Sequence, residues 1–167
     1  KLTLRELISK ICEENSEKDA VIFDEGLVKF SELLQNIKRI SAGLLNMGIN
    51  KGTKVAILLN NRIEYVYAYF AMFYVGAMPV PINNRWKSGE IENILRDCDS
   101  RIIITEDIVG TMSPKEVITE IENNGYEFGN VIYIGNNHYG NKGISFDDLM
   151  NADADKTALL EDIKADD

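Results

Sequence analysis

Histidine, cysteine, proline and tryptophan are scarce in this 167-residue sequence, with one, two, three and one copies respectively. The single histidine, His138, has no second histidine or nearby cysteine to work with, which argues against a His-based metal site or a nucleophile–base pair. Cys12 and Cys98 have no zinc-type spacing, and one pair in a chain this apolar is no disulfide framework, so reduced thiols and a cytoplasmic location are expected. No Gly-x-Gly occurs, so the dinucleotide fingerprint, which needs close backbone approach to a pyrophosphate, is missing. The longest apolar run, Tyr65 to Val75, is well short of the roughly 20 residues that span a bilayer, and no basic-then-apolar leader precedes the first helix. Positive charge is in deficit: 18 basic against 27 acidic residues give a net −9, which opposes binding to nucleic acid and to anionic membranes. A phosphate-bearing ligand would need a local basic spot.

What is present is alternation. Leu4, Leu7, Ile8 and Ile11 are spaced for a short amphipathic helix over residues 2–13. Ala20 to Phe23 and Leu27 to Phe30 read as a hairpin around Asp24-Glu25-Gly26, and Ser31 is expected to cap a helix ending at Gly48. Val55 to Leu59 is a continuous apolar run, as a strand covered on both faces requires. Asn61 and Glu64 are spaced as a capping box for the next helix, whose Tyr65 to Val75 stretch is expected to be buried on most sides, Phe70 included. Met78 to Ile82 is a short or marginal strand because Pro79 and Pro81 lack donors. Ser88 caps a helix to Cys98, Ile102 to Thr105 is a strand, Ser113-Pro114-Lys115-Glu116 opens a helix stopped by Gly125, and Val131 to Ile134 closes the series. Gly135 to Gly143 reads as a surface loop and Ser145 as the cap of a short helix carrying Phe146 and Leu149. The fold class expected is α/β: a doubly wound, mainly parallel sheet with flanking helices, plus an N-terminal helix and β-hairpin.

The stretch from Lys54 to Asp107 resembles the N-terminal region of the AMP-forming acyl-CoA synthetases and ligases, the adenylate-forming superfamily. Its pieces are a strand ending in Asn60, an apolar helix ending in Gly76-Ala77, Val80-Pro81 leading to Asn83-Asn84-Arg85, an amphipathic helix, and a strand from Arg101. The resemblance implies an enzyme joining a carboxylic acid to CoA through an acyl-adenylate, with ATP, magnesium and CoA used by the full-length protein and none bound tightly by this portion. It implies residues 1–150 as an N-terminal α/β subdomain and residues 151–167 as an acidic tail or linker. The sequence ends at Ala165-Asp166-Asp167, and in the family a similar acidic pair comes just before the loop that holds ATP phosphates. The adenylating groups are then expected beyond this chain, no catalytic or metal-binding residue is assigned within it, and the chain alone should be inactive.

Asn83-Asn84-Arg85-Trp86-Lys87 is the candidate binding segment. It follows a strand and precedes a capped helix, where open α/β sheets place ligands. In several CoA ligases of the resembled family the Arg of this turn contacts a phosphate of the CoA nucleotide, so Arg85 is the residue assigned to CoA, with Lys87 adding charge and Trp86 packing on adenine or on the protein. Asn84 departs from the Pro frequent there. The plain reading is a surface arginine paired with Glu90 or Glu92. Gly135 to Lys142 superficially resembles a phosphate loop, but Asn141 separates Gly140 from Lys142 and Gly143 stands where Ser or Thr is needed, so it reads as a turn. The aromatic run Tyr65 to Tyr74 is read as buried packing rather than an acyl pocket. Two other functions remain open at this point: a peptide-synthetase-like adenylation domain passing its acyl group to a carrier protein, and a stand-alone α/β binding or regulatory module with Glu106-Asp107 as its nearest acidic pair. Partners expected are a small carboxylic acid, ATP and CoA, without nucleic acid or a transmembrane segment, and a homo-oligomer is compatible with the apolar content.

Overall fold

The structure is a computed structural model that describes residues 2–24 and 26–153. The chain divides into two compact units, one of residues 1–52, 62–77 and 148–167, the other of residues 53–61 and 78–147. The expected tail falls mostly on residues 154–167, outside the described residues.

The first unit is helical with one hairpin. Helix α1, Leu4–Glu14, opens on a reciprocal box that the sequence reading did not find: Glu6 N–H donates to Thr3 Oγ1 at 3.1 Å and Thr3 N–H to Glu6 Oε2 at 2.7 Å. Strands β1, Asp19–Phe23, and β2, Gly26–Lys29, form the antiparallel hairpin. Helix α2, Phe30–Asn46, begins one residue before the expected Ser31 cap: Lys29 holds the N-cap position without a side-chain bond. Phe30 N–H is already taken by Lys18 O at 3.0 Å, so the chain turns into the helix there.

Helix α3, Ile63–Val75, corrects two expectations. Arg62 rather than Asn61 is its N-cap, and Glu64 grips the Arg62 guanidinium (Nε–Oε2 2.7 Å, Nη2–Oε1 2.8 Å) instead of closing a capping box. Burial covers most sides, as expected: Tyr67, Ala68, Ala71, Met72, Tyr74 and Val75 are buried and the others half-buried, except Phe70, which is 37% exposed. Gly76 ends α3 at φ +75°, a left-handed position that glycine takes without a Cβ penalty. Within this unit Ser41 Oγ of α2 donates to Ala71 O of α3 at 3.3 Å, and Gly43 lets Leu149 approach so closely that a Cβ would meet its Cδ2 at 2.7 Å.

The second unit is the sheet. Strands β3, Lys54–Leu58, β4, Met78–Pro81, β5, Ile102–Glu106, β6, Asn130–Ile134, and β7, Gly143–Ser145, run parallel in the order β4-β3-β5-β6-β7. Edge strand β7 lies inside and just after the stretch read as loop: three residues pairing Val131↔Gly143 to Tyr133↔Ser145 are too short and polar to show a strand pattern. Pro79 and Pro81 sit in β4 at the sheet's margin, as missing donors require. Helices α4, Ser88–Cys98, and α5, Pro114–Asn123, supply Ile91, Leu95, Ile118 and Ile121 to a core with Ala56, Leu58, Ile103 and Val131. Ser113 caps α5 with Pro114 at its first position, as expected, whereas Lys87 rather than Ser88 is the N-cap of α4. Helix α6, Phe146–Met150, follows Ser145, whose Oγ accepts from Asp147 N–H at 3.2 Å. The fold class is therefore the expected one, α/β on a parallel sheet flanked by helices, with a separate antiparallel hairpin.

Candidate functional site

The strand order sets the site. After β3 the chain forms β4 on one side, then passes back to form β5 on the other, and open α/β sheets hold ligands outside the carboxyl ends of strands at such a reversal. The loops following β4 and β5 emerge at that end and line one cavity of about 670 Å³. Asn84, Arg85, Trp86 and Lys87 form one wall; Gly110, Thr111 and Met112 form another, with Val117 and Glu120 of α5 between them. All three residues singled out in the sequence thus share one concavity.

Local hydrogen bonds shape the Arg85 wall. Asn83 Oδ1 accepts Arg85 N–H at 2.9 Å, a side-chain-closed turn, and Asn83 O accepts Trp86 N–H at 3.1 Å. Lys87 N–H donates to Glu90 Oε2 at 2.9 Å, tying the turn to the start of α4. Trp86 is half-buried against the core, while Arg85 and Lys87 are exposed. Of the acids near Arg85, Glu120 lines the same cavity, and the two expected as its partners, Glu90 and Glu92, are engaged elsewhere. Glu90 holds Lys87 N–H, and Glu92 takes Asn124 Nδ2 at 2.7 Å and Arg96 Nη2 at 2.8 Å. The Asn124 bond, then Arg96, holds the Glu92 carboxyl below its ordinary range. Among the described residues Arg85 and Lys87 form no ion pair, leaving a basic spot in a chain of net charge −9.

The facing wall is held by a residue to which sequence reasoning gave no role. Asn60, just past β3, donates Nδ2–H to Ile108 O at 2.8 Å and accepts Gly110 N–H on Oδ1 at 2.9 Å; its own N–H goes to Glu106 Oε1 at 2.6 Å. The available signal was a lone polar residue closing an apolar strand. Next to it, Asp107 accepts Asn136 N–H at 2.8 Å and Asn137 N–H at 2.9 Å, drawing the loop after β6 onto the end of β5. Glu106 and Asp107 are thus structural acceptors, against the reading of a phosphoacceptor pair. Tyr139 is buried, and desolvation first, then the Asp107 charge, push its hydroxyl up to about 12. Its OH and Thr105 Oγ1 are buried without a hydrogen-bond partner among the described residues.

The other candidates keep their plain readings. His138 is exposed with Nδ1 3.0 Å from Tyr133 OH, and the stretch after it is a 3₁₀ turn, Gly140–Lys142, whose Lys142 pairs with Glu122. Both cysteines are free, Cys12 buried and Cys98 half-buried. Among the described residues no group of three His, Cys, Asp or Glu is placed to hold a metal ion, and no helix is long and apolar enough to cross a membrane.

This fold and site define an α/β domain with a crevice at a sheet reversal. The profile of the AMP-binding enzymes matches residues 8–158, and the chain belongs to that family. It is similar to the acyl-CoA ligase SidI of Aspergillus fumigatus, 28% identical over 122 residues, which cover 72% of this chain and 21% of that protein. It is also similar to the crotonobetaine/carnitine–CoA ligase of Proteus mirabilis, 33% identical over 109 residues, covering 62% and 21%. Among solved structures the coronafacic acid ligase of Pectobacterium brasiliense superposes with a TM-score of 0.80 at 22% identity, over 92% of this chain and 30% of that one. The aligned region is thus about a fifth of the length of these curated relatives.

Proposed function

We propose that this chain is the N-terminal part of an ATP-dependent, AMP-forming acyl-CoA ligase, and that the cavity beside Arg85 receives a phosphate of CoA. The observation that supports the reading is the Arg85 guanidinium, which forms no ion pair among the described residues and is exposed in a concavity at the carboxyl end of the sheet. Guanidinium presents parallel donors that match two phosphate oxygens, and Lys87 adds a second positive charge to the same wall. Trp86, half-buried behind them, offers a flat apolar face beside the phosphate position. Relatives named as acyl-CoA and carnitine–CoA ligases support CoA as the acceptor in this reading.

The overall reaction must replace a poor leaving group. A carboxylate attacks the α-phosphate of ATP, pyrophosphate departs, and the CoA thiolate then displaces AMP from the acyl-adenylate. Groups that stabilise charge on the α-phosphate are required for the first step. None is assigned to this chain. Its part in the reaction is to orient the CoA nucleotide for the second step.

The test is Arg85→Ala in a full-length ligase carrying this chain. Loss of a charge-assisted contact worth about 1.5–3 kcal/mol should raise the KM for CoA about ten- to hundred-fold. ATP–pyrophosphate exchange, which involves no CoA, should stay near normal. An unchanged KM for CoA would reject the assignment, and carboxylate-dependent AMP formation that requires a carrier protein instead of CoA would reject the CoA ligase reading. The chain by itself should catalyse no exchange.

A further inference from the structure

We infer that Asn60 is the positioning residue of this cavity: it locks the loop after β5 in place as the wall facing Arg85. The inference deepens the CoA reading and rests on it only where KM is measured.

The loop has little else to hold it. Ile108 is 54% exposed, and Gly110 and Thr111 are exposed as well, so apolar anchoring is confined to Val109 and the half-buried Met112. Its internal bonding is a two-residue bridge, Val109 N–H to Met112 O at 3.0 Å and Met112 N–H to Val109 O at 2.9 Å. That bridge closes the loop on itself without fixing where it sits. Gly110 lies at φ +60°, a left-handed kink in the loop that glycine takes without a Cβ penalty.

Asn60 supplies the external fixing. Its strand is the middle one of the three concerned, paired with β4 on one side and β5 on the other, so its end stands between the two cavity loops. Glu106 Oε1 fixes the Asn60 backbone at 2.6 Å, and from there the carboxamide meets a carbonyl and an N–H two residues apart. Only a carboxamide offers one donor and one acceptor side by side at that reach. Aspartate lacks the donor, and serine reaches one partner at most. On the other side of the same strand, Ile82 N–H donates to Ile57 O at 2.8 Å, which places the start of the Arg85 loop against the same spine. The width of the cavity is therefore set through β3, and Asn60 fixes the half that follows β5.

Trp86 gives a readout that needs no ligand, because it is the only tryptophan in the chain and shares the cavity with Gly110 to Met112. In the 167-residue chain Asn60→Ala should raise the acrylamide quenching constant of Trp86 about twofold and abolish hydrogen-exchange protection of the Gly110 amide. Far-UV circular dichroism and protection of Ile104 should be unchanged. Asn60→Ser, should the alanine variant fail to fold, should give the same changes at smaller amplitude. Unaltered quenching and Gly110 protection in either folded variant overturns the inference, as does unfolding of both, which would make Asn60 a support of the fold. In a full-length ligase Asn60→Ala should raise the KM for CoA about tenfold with ATP–pyrophosphate exchange within twofold of wild type. The double variant with Arg85→Ala should be no worse than Arg85→Ala alone, since residues acting on one interaction are not additive. Additive effects overturn the positioning role. If Arg85→Ala leaves the KM unchanged while Asn60→Ala still frees Gly110 and Trp86, the CoA assignment falls and the role of Asn60 stands.

Discussion

Gly135 and Asp107 stand too close for any side chain between them: a Cβ on Gly135 would lie 2.5 Å from Asp107 Cγ. The contact arises because the Asp107 carboxylate reaches over Gly135 to take the N–H groups of Asn136 and Asn137. Gly135 also sits at φ +109°, where a Cβ is strained whatever the space. Gly135→Ala should therefore cost about 1–3 kcal/mol in urea denaturation, from overpacking and backbone strain together. Asp107→Ala should relieve the clash, so the double variant should lose less than the two single losses added. Simple additivity would show that the two residues do not meet.

The unequal burial of Met72 and Phe70 separates two neighbouring substitutions. Met72 is fully buried, and Met72→Ala should cost about 2–5 kcal/mol. Phe70, 37% exposed, should lose less on the same truncation, about 1–2 kcal/mol, since part of its ring stays in water after folding. Thermal denaturation of both variants decides it, and equal losses would mean that α3 is rotated from the orientation described.

Arg62 and Glu64 make an acid-sensitive pair. Burial raises the Glu64 carboxyl, but hydrogen bonds from Arg62 and from the Glu64 backbone, with the Arg62 charge, leave it below the ordinary value. A lowered folded value means the stabilisation is present above the ordinary glutamate range and is lost as pH falls through the folded value. Both side chains are a quarter to a third exposed, so the amount is about 1 kcal/mol at most. Glu64→Gln should reduce stability near pH 7 by that amount and flatten its fall below pH 4.5 in urea titrations.

Tyr139 makes the opposite prediction at high pH. Its hydroxyl is raised to about 12, so the folded state keeps a proton that the unfolded chain releases near 10. Stability is then complete below about 10 and declines as pH rises toward 12. Tyr139→Phe should be neutral or stabilising at pH 7, because it removes a buried hydroxyl with no partner among the described residues, and it should lessen the alkaline loss. Denaturation midpoints at pH 7 and pH 11 measure both.

The sequence displayed what repeats and hid what reaches across. The apolar run of β3, the spacing of Ile91 and Leu95, and the Ser113-Pro114 start are local patterns, and each led to the element found. Arg85, Trp86 and Lys87 were legible as a group because three neighbours on one turn must share a wall. Strand β7 was not, since its three residues gain their conformation from pairing with β6 rather than from any periodicity. The start of α2 went to Phe30 rather than Ser31 because the hairpin takes the Phe30 N–H, a contact with Lys18 that no short window contains. Asn60 and Asp107 bond to groups 48 and 29 positions away, so their roles appear only once the strands are side by side.

Both of those side chains bind main-chain atoms: the Ile108 carbonyl, and the N–H groups of Gly110, Asn136 and Asn137. Every amino acid except proline carries the same backbone donor and acceptor, so these attachments do not read the identity of what they hold. Thr111, exposed on the loop so fastened, forms no part of the fastening. The lining of the cavity can therefore be rewritten at that position while its frame stays fixed, which makes it the natural site for a library that varies what this crevice accepts.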